Sequence, residues 1–301
     1  MKVLVTGARG FIGRALHDAL QRAGDSVVAF PRMPSSADLV SPLAPESAFN
    51  TIIHLAARVH VMRDTAADPL SAFREVNVGH TLQFAARAAA SGVRRFVFVS
   101  SVKVHGEATE RGRPFTEHDT PAPQDPYAIS KWEAEQGLRD IAARTGMEVV
   151  IIRPPLVYGP GVKANFASLM RAVQRGLPLP LGAVDNLRSL VGLDNLVDFI
   201  ITCARHPAAA NQTFLVSDGV DVSTPALVRA MARAAVCPVR LVPVPVALLS
   251  MGASLIGKRA AVQRVIQNLQ LDMSKARNVL QWTPPFTLDE GLRRAFVRSE
   301  E

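Results

Sequence analysis

The sequence predicts an α/β fold: a doubly wound parallel sheet with a smaller C-terminal lobe for substrate. Three observations predict it. Short β-branched runs alternate with amphipathic stretches through the first 153 residues, which is how strand, crossover helix and parallel strand read in sequence. A glycine-rich turn joins the first strand to the first helix. After Arg153 the periodicity weakens and Pro154, Pro155, Pro160, Pro178 and Pro180 punctuate the chain, as in a lobe of loops and short elements.

Taken in order, Lys2 to Thr6, Ser26 to Phe30, Thr51 to Leu55, Arg95 to Ser100 and Glu148 to Ile152 read as strands. Arg14 to Ala23, Leu70 to Ala90 and Tyr127 to Arg144 read as helices, each closed by a glycine: Gly24, Gly92 and Gly146. The stretch from Pro31 to Asn50 holds little helical pattern, so one crossover is abbreviated. A helix over about Asp194 to Arg205 and a strand over Gln212 to Val216 should return to the main sheet. The expected division is therefore a dinucleotide domain over 1–155, rejoined by 192–217, and a substrate lobe within 156–301. There is no internal repeat and no low-complexity tract.

With 301 residues, 48% of them hydrophobic, the chain can bury a full core. Its formal net charge of +8 raises nucleic acid as a partner, but 28 of the 34 basic residues are Arg, scattered in runs of at most two and without interleaved aromatics. No nucleic acid is expected. Cys203 and Cys237 form neither a CxxC pair nor a disulfide framework, which fits a reducing cytoplasm, and no metal set is implied. The longest uncharged stretch, Leu241 to Gly257, has 17 residues and two prolines, too short to span a bilayer; a buried strand and an apolar helix are expected there, with no membrane partner.

The first strand runs into Gly7-Ala8-Arg9-Gly10-Phe11-Ile12-Gly13, a GxxGxxG turn that opens a helix. Glycines let the backbone turn tightly and approach a pyrophosphate, which then rests on the positive helix N-terminus. This is the Rossmann-like arrangement for a nicotinamide dinucleotide. The second strand ends at Phe30, followed by Pro31 and Arg32, with no carboxylate to hold both ribose hydroxyls. Arg9 and Arg32 could neutralise a 2'-phosphate instead, so NADP(H) is expected over NAD(H).

A later helix begins Asp125-Pro126-Tyr127-Ala128-Ile129-Ser130-Lys131. Asp125 suits the N-cap and Pro126 the first helical position, placing Tyr127 and Lys131 on one face of the first turn. A nearby ammonium stabilises a phenolate, so Tyr127 can move a proton at a substrate oxygen while hydride moves at the carbon. Ser101, just after the fourth strand, supplies a hydroxyl to polarise that oxygen.

With these motifs in one chain, the sequence resembles the extended short-chain dehydrogenase/reductases, within the NAD-dependent epimerase/dehydratase family that acts on nucleotide sugars. The likeness rests on TGARGFIG, His54-Leu55-Ala56-Ala57, Asn77 in EVNVGHT, FVSSVKVHG, PYAISK, the run from Arg153 to Pro160, the run from Arg188 to Leu196 and the late Asp272 to Ala276. The resemblance implies Ser101, Tyr127 and Lys131 as the catalytic set. It assigns Leu55, Ala56, Ala57, Asn77 and Pro154 to the cofactor, Asp38 and Leu39 to adenine, and Lys131 also to the nicotinamide ribose. It assigns Asn165 and Arg188 to the nucleotide diphosphate, with Arg264 as a further basic residue near it. It also implies a homodimer through the helices over 70–90 and 127–144. The chain has Leu156 where many members have Asn, and His105 where VYG is common.

After Ser101 stand Val102 and Lys103, where the family's dehydratases place an Asp-Glu pair; without a carboxylic acid, dehydration is disfavoured. Hydride transfer at a sugar carbon, C4, remains. Arg9 and Arg32 tilt the reading to reduction of a UDP-linked 4-keto-6-deoxy-N-acetylhexosamine, a dTDP sugar being the variant, for O-antigen and lipopolysaccharide sugars. The alternative is a 4-epimerase of a UDP-hexose or UDP-N-acetylhexosamine, and a non-catalytic dinucleotide-binding protein is a third, more distant reading.

Overall fold

The computed structural model of the protein describes residues 1–30, 49–59, 68–255 and 259–297. Its main sheet contains β1 (Lys2–Thr6), β2 (Ser26–Phe30), β3 (Thr51–His54), β4 (Arg95–Val99), β5 (Glu148–Arg153) and the later edge strand Thr213–Leu215, all parallel, in the spatial order β2, β1, β3, β4, β5, edge. Helices α1 (Phe11–Arg22), α2 (Pro69–Arg74), α3 (Thr81–Ala90) and α4 (Pro126–Thr145) connect the early strands. The shortened crossover expected over 31–50 lies almost wholly outside the described residues.

Both faces of this sheet are buried, so its strands are apolar at consecutive positions rather than alternating. Val3, Val5, Val97, Val99, Val150 and Ile152 belong to one core, while Leu4, Phe96, Phe98, Val149 and Ile151 belong to the other. Two-residue strand periodicity accounts for this division. Leu16 and Leu20 of α1 cover the first core, and Phe84 of α3 and Leu138 of α4 cover the second.

The expected helix over 70–90 is interrupted. Between α2 and α3 the chain widens into a π turn over Glu75–His80. Asn77 sits inside that turn and is buried. The helix over 193–205, α6 below, starts one residue before its expected position, and the returning strand is two residues shorter than expected.

Beyond β5, the chain forms β6 (Leu156–Tyr158), α5 (Ala164–Gln174), β7 (Pro178–Leu179), β8 (Leu190–Gly192) and α6 (Leu193–Arg205). The edge strand of the main sheet is β9, followed by α7 (Thr224–Ala234), β10 (Arg240–Leu241), α8 (Val246–Leu255), α9 (Arg259–Ile266), α10 (Ser274–Leu280) and α11 (Leu288–Val297). Two short parallel pairs, β6 with β8 and β7 with β10, accompany a separate core of Tyr158, Phe166, Met170, Leu190, Met231, Leu292 and Phe296. The expectation for 241–257 needs correction: β10 is only two residues long, and Val242, Val246, Leu248 and Met251 are exposed rather than buried.

Candidate active site

The strand order reverses direction between β1 and β3: β2 pairs on one side of β1 and β3 on the other. The crevice beyond the carboxyl ends of those two strands is where open α/β sheets bind ligands. Gly7 leaves β1 at φ +69°, and a Cβ there would lie 2.8 Å from the Ala56 nitrogen just past β3. A Cβ on Gly13 would lie 2.2 Å from the Gly7 carbonyl oxygen. Glycine is thus required at both positions by close backbone approach. Gly10 caps α1 without a side-chain hydrogen bond, so the first N–H groups of the helix face outward from a tight turn. This cradle fits a dinucleotide pyrophosphate. Phe11 and Ile12 in the first turn of α1 pack on the core beneath it, as does Leu55.

Ala56 is buried and Ala57 partly so, and the Ala56 N–H donates to the Thr6 hydroxyl at 3.2 Å. Thr6 also meets His54 Nδ1 at 2.9 Å, and His54 Nε2 meets the Thr81 hydroxyl at 3.1 Å. His54 is fully buried and braces β1, β3 and α3; burial and then the charge of Lys131 push its pKa down to about 3. The π turn gives Asn77 a similar bracing position. Its Oδ1 accepts from the Arg58 N–H at 2.8 Å, while its Nδ2 donates to the Arg58 carbonyl at 3.0 Å and to the Ser130 hydroxyl at 3.0 Å. A π turn displaces one side chain from ordinary helical register, and here that side chain ties the loop after β3 to α4.

At the start of α4, Asp125 caps the helix by accepting from the Ala128 N–H at 2.7 Å. Its other oxygen accepts from Lys103 Nζ at 2.5 Å, and Lys103 also donates to Glu107 at 2.8 Å. Lys103, at the position where a dehydratase would need an acid, therefore ties the turn after Ser101 to the N-cap of α4. Ser101 is half-buried and accepts from the Lys103 N–H at 3.2 Å. The Val102 N–H donates to the carbonyl of buried Pro154 at 3.0 Å, holding that turn against the end of β5.

Tyr127, half-buried, and Lys131, buried, lie in the first turns of α4. Lys131 Nζ donates to the Val99 carbonyl at 2.9 Å, lies 4.4 Å from the centroid of the Phe98 ring and 6.0 Å from that of Tyr127. Its side chain is buried, and burial lowers its pKa to about 7 against the opposing pull of Glu135. Burial, then the charge of Asp125, raises the Tyr127 pKa above the usual phenol value. One turn further along α4, Glu135 forms a buried ion pair with Arg153, whose guanidinium also meets His105 Nε2 at 2.7 Å. Trp132 packs under the guanidinium groups of Arg139 and Arg153. Sequence reasoning assigned no role to Glu135 or Arg153; the i+4 spacing of Lys131 and Glu135 was the available signal.

Arg188 and Arg264 are brought together. Arg188 is half-buried and donates to the Gln267 carbonyl at 3.0 Å; burial and then the charge of Arg264 lower its pKa. The Nε of Arg264 is buried without a hydrogen-bond partner among the described residues. Two neighbouring guanidinium groups, one with an unsatisfied buried donor, suit a diphosphate. Asn165 is exposed on the first turn of α5 and Arg9 is exposed beside the glycine turn, each without a hydrogen bond or ion pair among the described residues. Arg32, Asp38 and Leu39 lie outside the described residues. Among the described residues no group of His, Cys, Asp and Glu could hold a metal ion, and no helix is long and apolar enough to cross a membrane.

Residues 3–217 match the model of the NAD-dependent epimerase/dehydratase family. The chain belongs to this family. Its members are enzymes that work with a nicotinamide dinucleotide, in keeping with the cradle at Gly7 and Gly13. Over 309 residues the chain is 46% identical to a UDP-glucose 4-epimerase of Vibrio cholerae, covering 97% of this chain and 93% of that one. A UDP-glucose 4-epimerase of Thermotoga maritima, solved with UDP-glucose, superposes with a TM-score of 0.79 at 21% identity, covering 100% and 99% of the two chains. A Pseudomonas aeruginosa protein solved with NADPH superposes with a TM-score of 0.78 at 24% identity and full coverage of both chains. These two structures establish the likeness of fold.

Proposed function

We propose that the protein is a 4-epimerase of a UDP-linked hexose or N-acetylhexosamine. The observation that carries this reading is the site at the head of α4: Tyr127 and Lys131 on one turn, Lys131 anchored to the end of β4, Ser101 two residues beyond that anchor, and no carboxylic acid at Val102 or Lys103. The 46% identity to a UDP-glucose 4-epimerase supports epimerisation over net reduction.

The cradle at Gly7 and Gly13 would hold the pyrophosphate of a nicotinamide dinucleotide, which would supply a reversible hydride acceptor for C4. Tyr127 accepts the O4 proton as hydride leaves C4, so the alcohol becomes a ketone, and returns the proton when hydride arrives at the opposite face. Ser101 donates a hydrogen bond to O4, and Lys131, in its protonated form, stabilises the anion of the Tyr127 phenol. Arg188 and Arg264 grip the diphosphate through charge-assisted hydrogen bonds, with Asn165 at its edge. Tethering the diphosphate leaves the sugar ring free to turn and present either face of the ketone. Because hydride is returned on each turnover, no reduced pool is consumed and NAD(H) suffices.

Reduction of a UDP-linked 4-keto sugar by NADPH is the second reading. It is favoured by Arg9, which has no hydrogen-bonding or ionic partner among the described residues, and by the absence of a carboxylate at the end of β2. NMR of two reactions decides between them. UDP-glucose or UDP-N-acetylglucosamine with the purified protein and NAD should interconvert with the galacto epimer. Product formed only from a UDP-4-keto-6-deoxy-N-acetylhexosamine with NADPH would replace this reading with the reductase.

A further inference from the structure

The segment from Arg240 through α8 exposes a run of apolar side chains. Val242, Val246, Leu248 and Met251 expose 43%, 37%, 53% and 59% of their areas, and Pro243, Pro245 and Ala247 between them, with Gly252 just beyond, are exposed as well. No charged residue occurs from Leu241 to Gly257. The stretch is tied down at its start: the Val242 N–H donates to the Leu179 carbonyl at 2.8 Å and the Gly182 N–H to the Val242 carbonyl at 2.9 Å. The apolar side chains thus stand on an anchored support. Leu177, 47% exposed, leads into β7, the strand that pairs with β10.

The charge carried by this stretch of chain is one-sided. From Val222 to Leu271 the sequence contains no Asp or Glu, and it holds Arg229, Arg233, Arg240, Lys258, Arg259 and Arg264, of which Arg233 pairs with Asp289 on α11 and Arg264 lies near Arg188. Most of the formal charge of +8 can be attributed to this one stretch of chain. Arg229 and Arg240 are exposed, as are Arg171 and Arg175 at the end of α5.

We propose that the α8 face seats on the surface of an anionic lipid bilayer. An exposed apolar surface set among cations is what such a bilayer takes up: apolar side chains enter the acyl boundary while arginines and lysines stay among the phosphates. The same charge disfavours a second copy of the chain, because a two-fold interface would set this basic segment against itself. The stretch is too short to span, so the association is peripheral and reversible. Its readout is binding to lipid, which is independent of the sugar nucleotide turned over.

Flotation of the full-length protein with phosphatidylcholine vesicles, with and without phosphatidylglycerol, tests the proposal. The protein should float with the anionic vesicles, far less with the neutral ones, and less as salt is raised. The double variant Leu248→Asp with Met251→Asp should bind anionic vesicles on the order of tenfold or more weakly while keeping wild-type turnover of a soluble UDP-sugar and the wild-type thermal midpoint. Arg240→Glu should weaken binding to anionic vesicles alone. Failure to float with either vesicle would overturn the proposal, as would equal flotation of the double variant. So would light scattering that shows a wild-type dimer converted to monomer by the double variant, since the face would then be an interface between copies.

Discussion

Burial has opposite consequences for the two ionisable groups at the head of α4. It raises the Tyr127 pKa and lowers the Lys131 pKa to about 7, so the protein alone favours the neutral form of each. Tyr127→Phe should lower kcat by about 10² to 10⁴, the usual worth of a positioned proton-transfer group, while leaving dinucleotide affinity within about twofold. Activity assays and a dinucleotide titration on the same preparation check both halves. Lys131 also makes a stability prediction. Between about pH 7 and 10.5 the unfolded chain holds a proton on this lysine that the folded chain has released, so stability rises with pH across that window. In denaturant melts over that range wild type should gain on Lys131→Met as pH increases; parallel curves would show that Lys131 keeps its proton when folded.

The elements that present these groups depend on a few backbone demands. Gly13→Ala would put a Cβ where the Gly7 carbonyl oxygen stands, forcing the first turn of α1 away from the end of β1. Dinucleotide should then give little or none of the thermal stabilisation it gives wild type, and a full shift in the variant would show that the turn does not hold the pyrophosphate. Asn77→Leu removes three hydrogen bonds from the π turn and should cost about 1–3 kcal/mol in chemical denaturation. The glycine turn, the five early strands and the head of α4 were legible because each rests on local chemistry: strand periodicity, an Asp–Pro cap, glycine where a Cβ cannot fit. The π turn was not, since Leu70 to Ala90 carries an unbroken helical pattern and the bulge is set by what Asn77 reaches across space, Arg58 and Ser130. The exposure of α8 was equally hidden. An apolar run reads as core unless the neighbours it lacks are known, and those neighbours are a tertiary fact.

At the scale of the whole molecule, two buried histidines tie distant parts of the chain to the site. His54 joins β1 and β3 to α3, and His105 joins the turn after Ser101 to the Arg153–Glu135 pair at the end of β5. Both are held neutral: burial drives the first to about pKa 3, and burial with the neighbouring Arg153 drives the second to about 4. As pH falls below 6.5 the unfolded chain takes up protons at these positions that the folded chain refuses, so stability is lost on the acid side of neutrality. Each histidine should contribute about 1.6 kcal/mol of that loss between pH 6.5 and 5, the slope steepening toward about 1.4 kcal/mol per pH unit as the unfolded imidazole fills. Urea melts at the two pH values should show wild type losing roughly twice what His54→Gln loses, since the variant keeps only the His105 share. His54→Gln starts from lower stability, because glutamine cannot span Thr6 and Thr81 as the ring does, so the comparison is between slopes with pH and not between absolute values. Equal slopes in wild type and variant would mean that the sheet and α3 are not held together by a neutral imidazole.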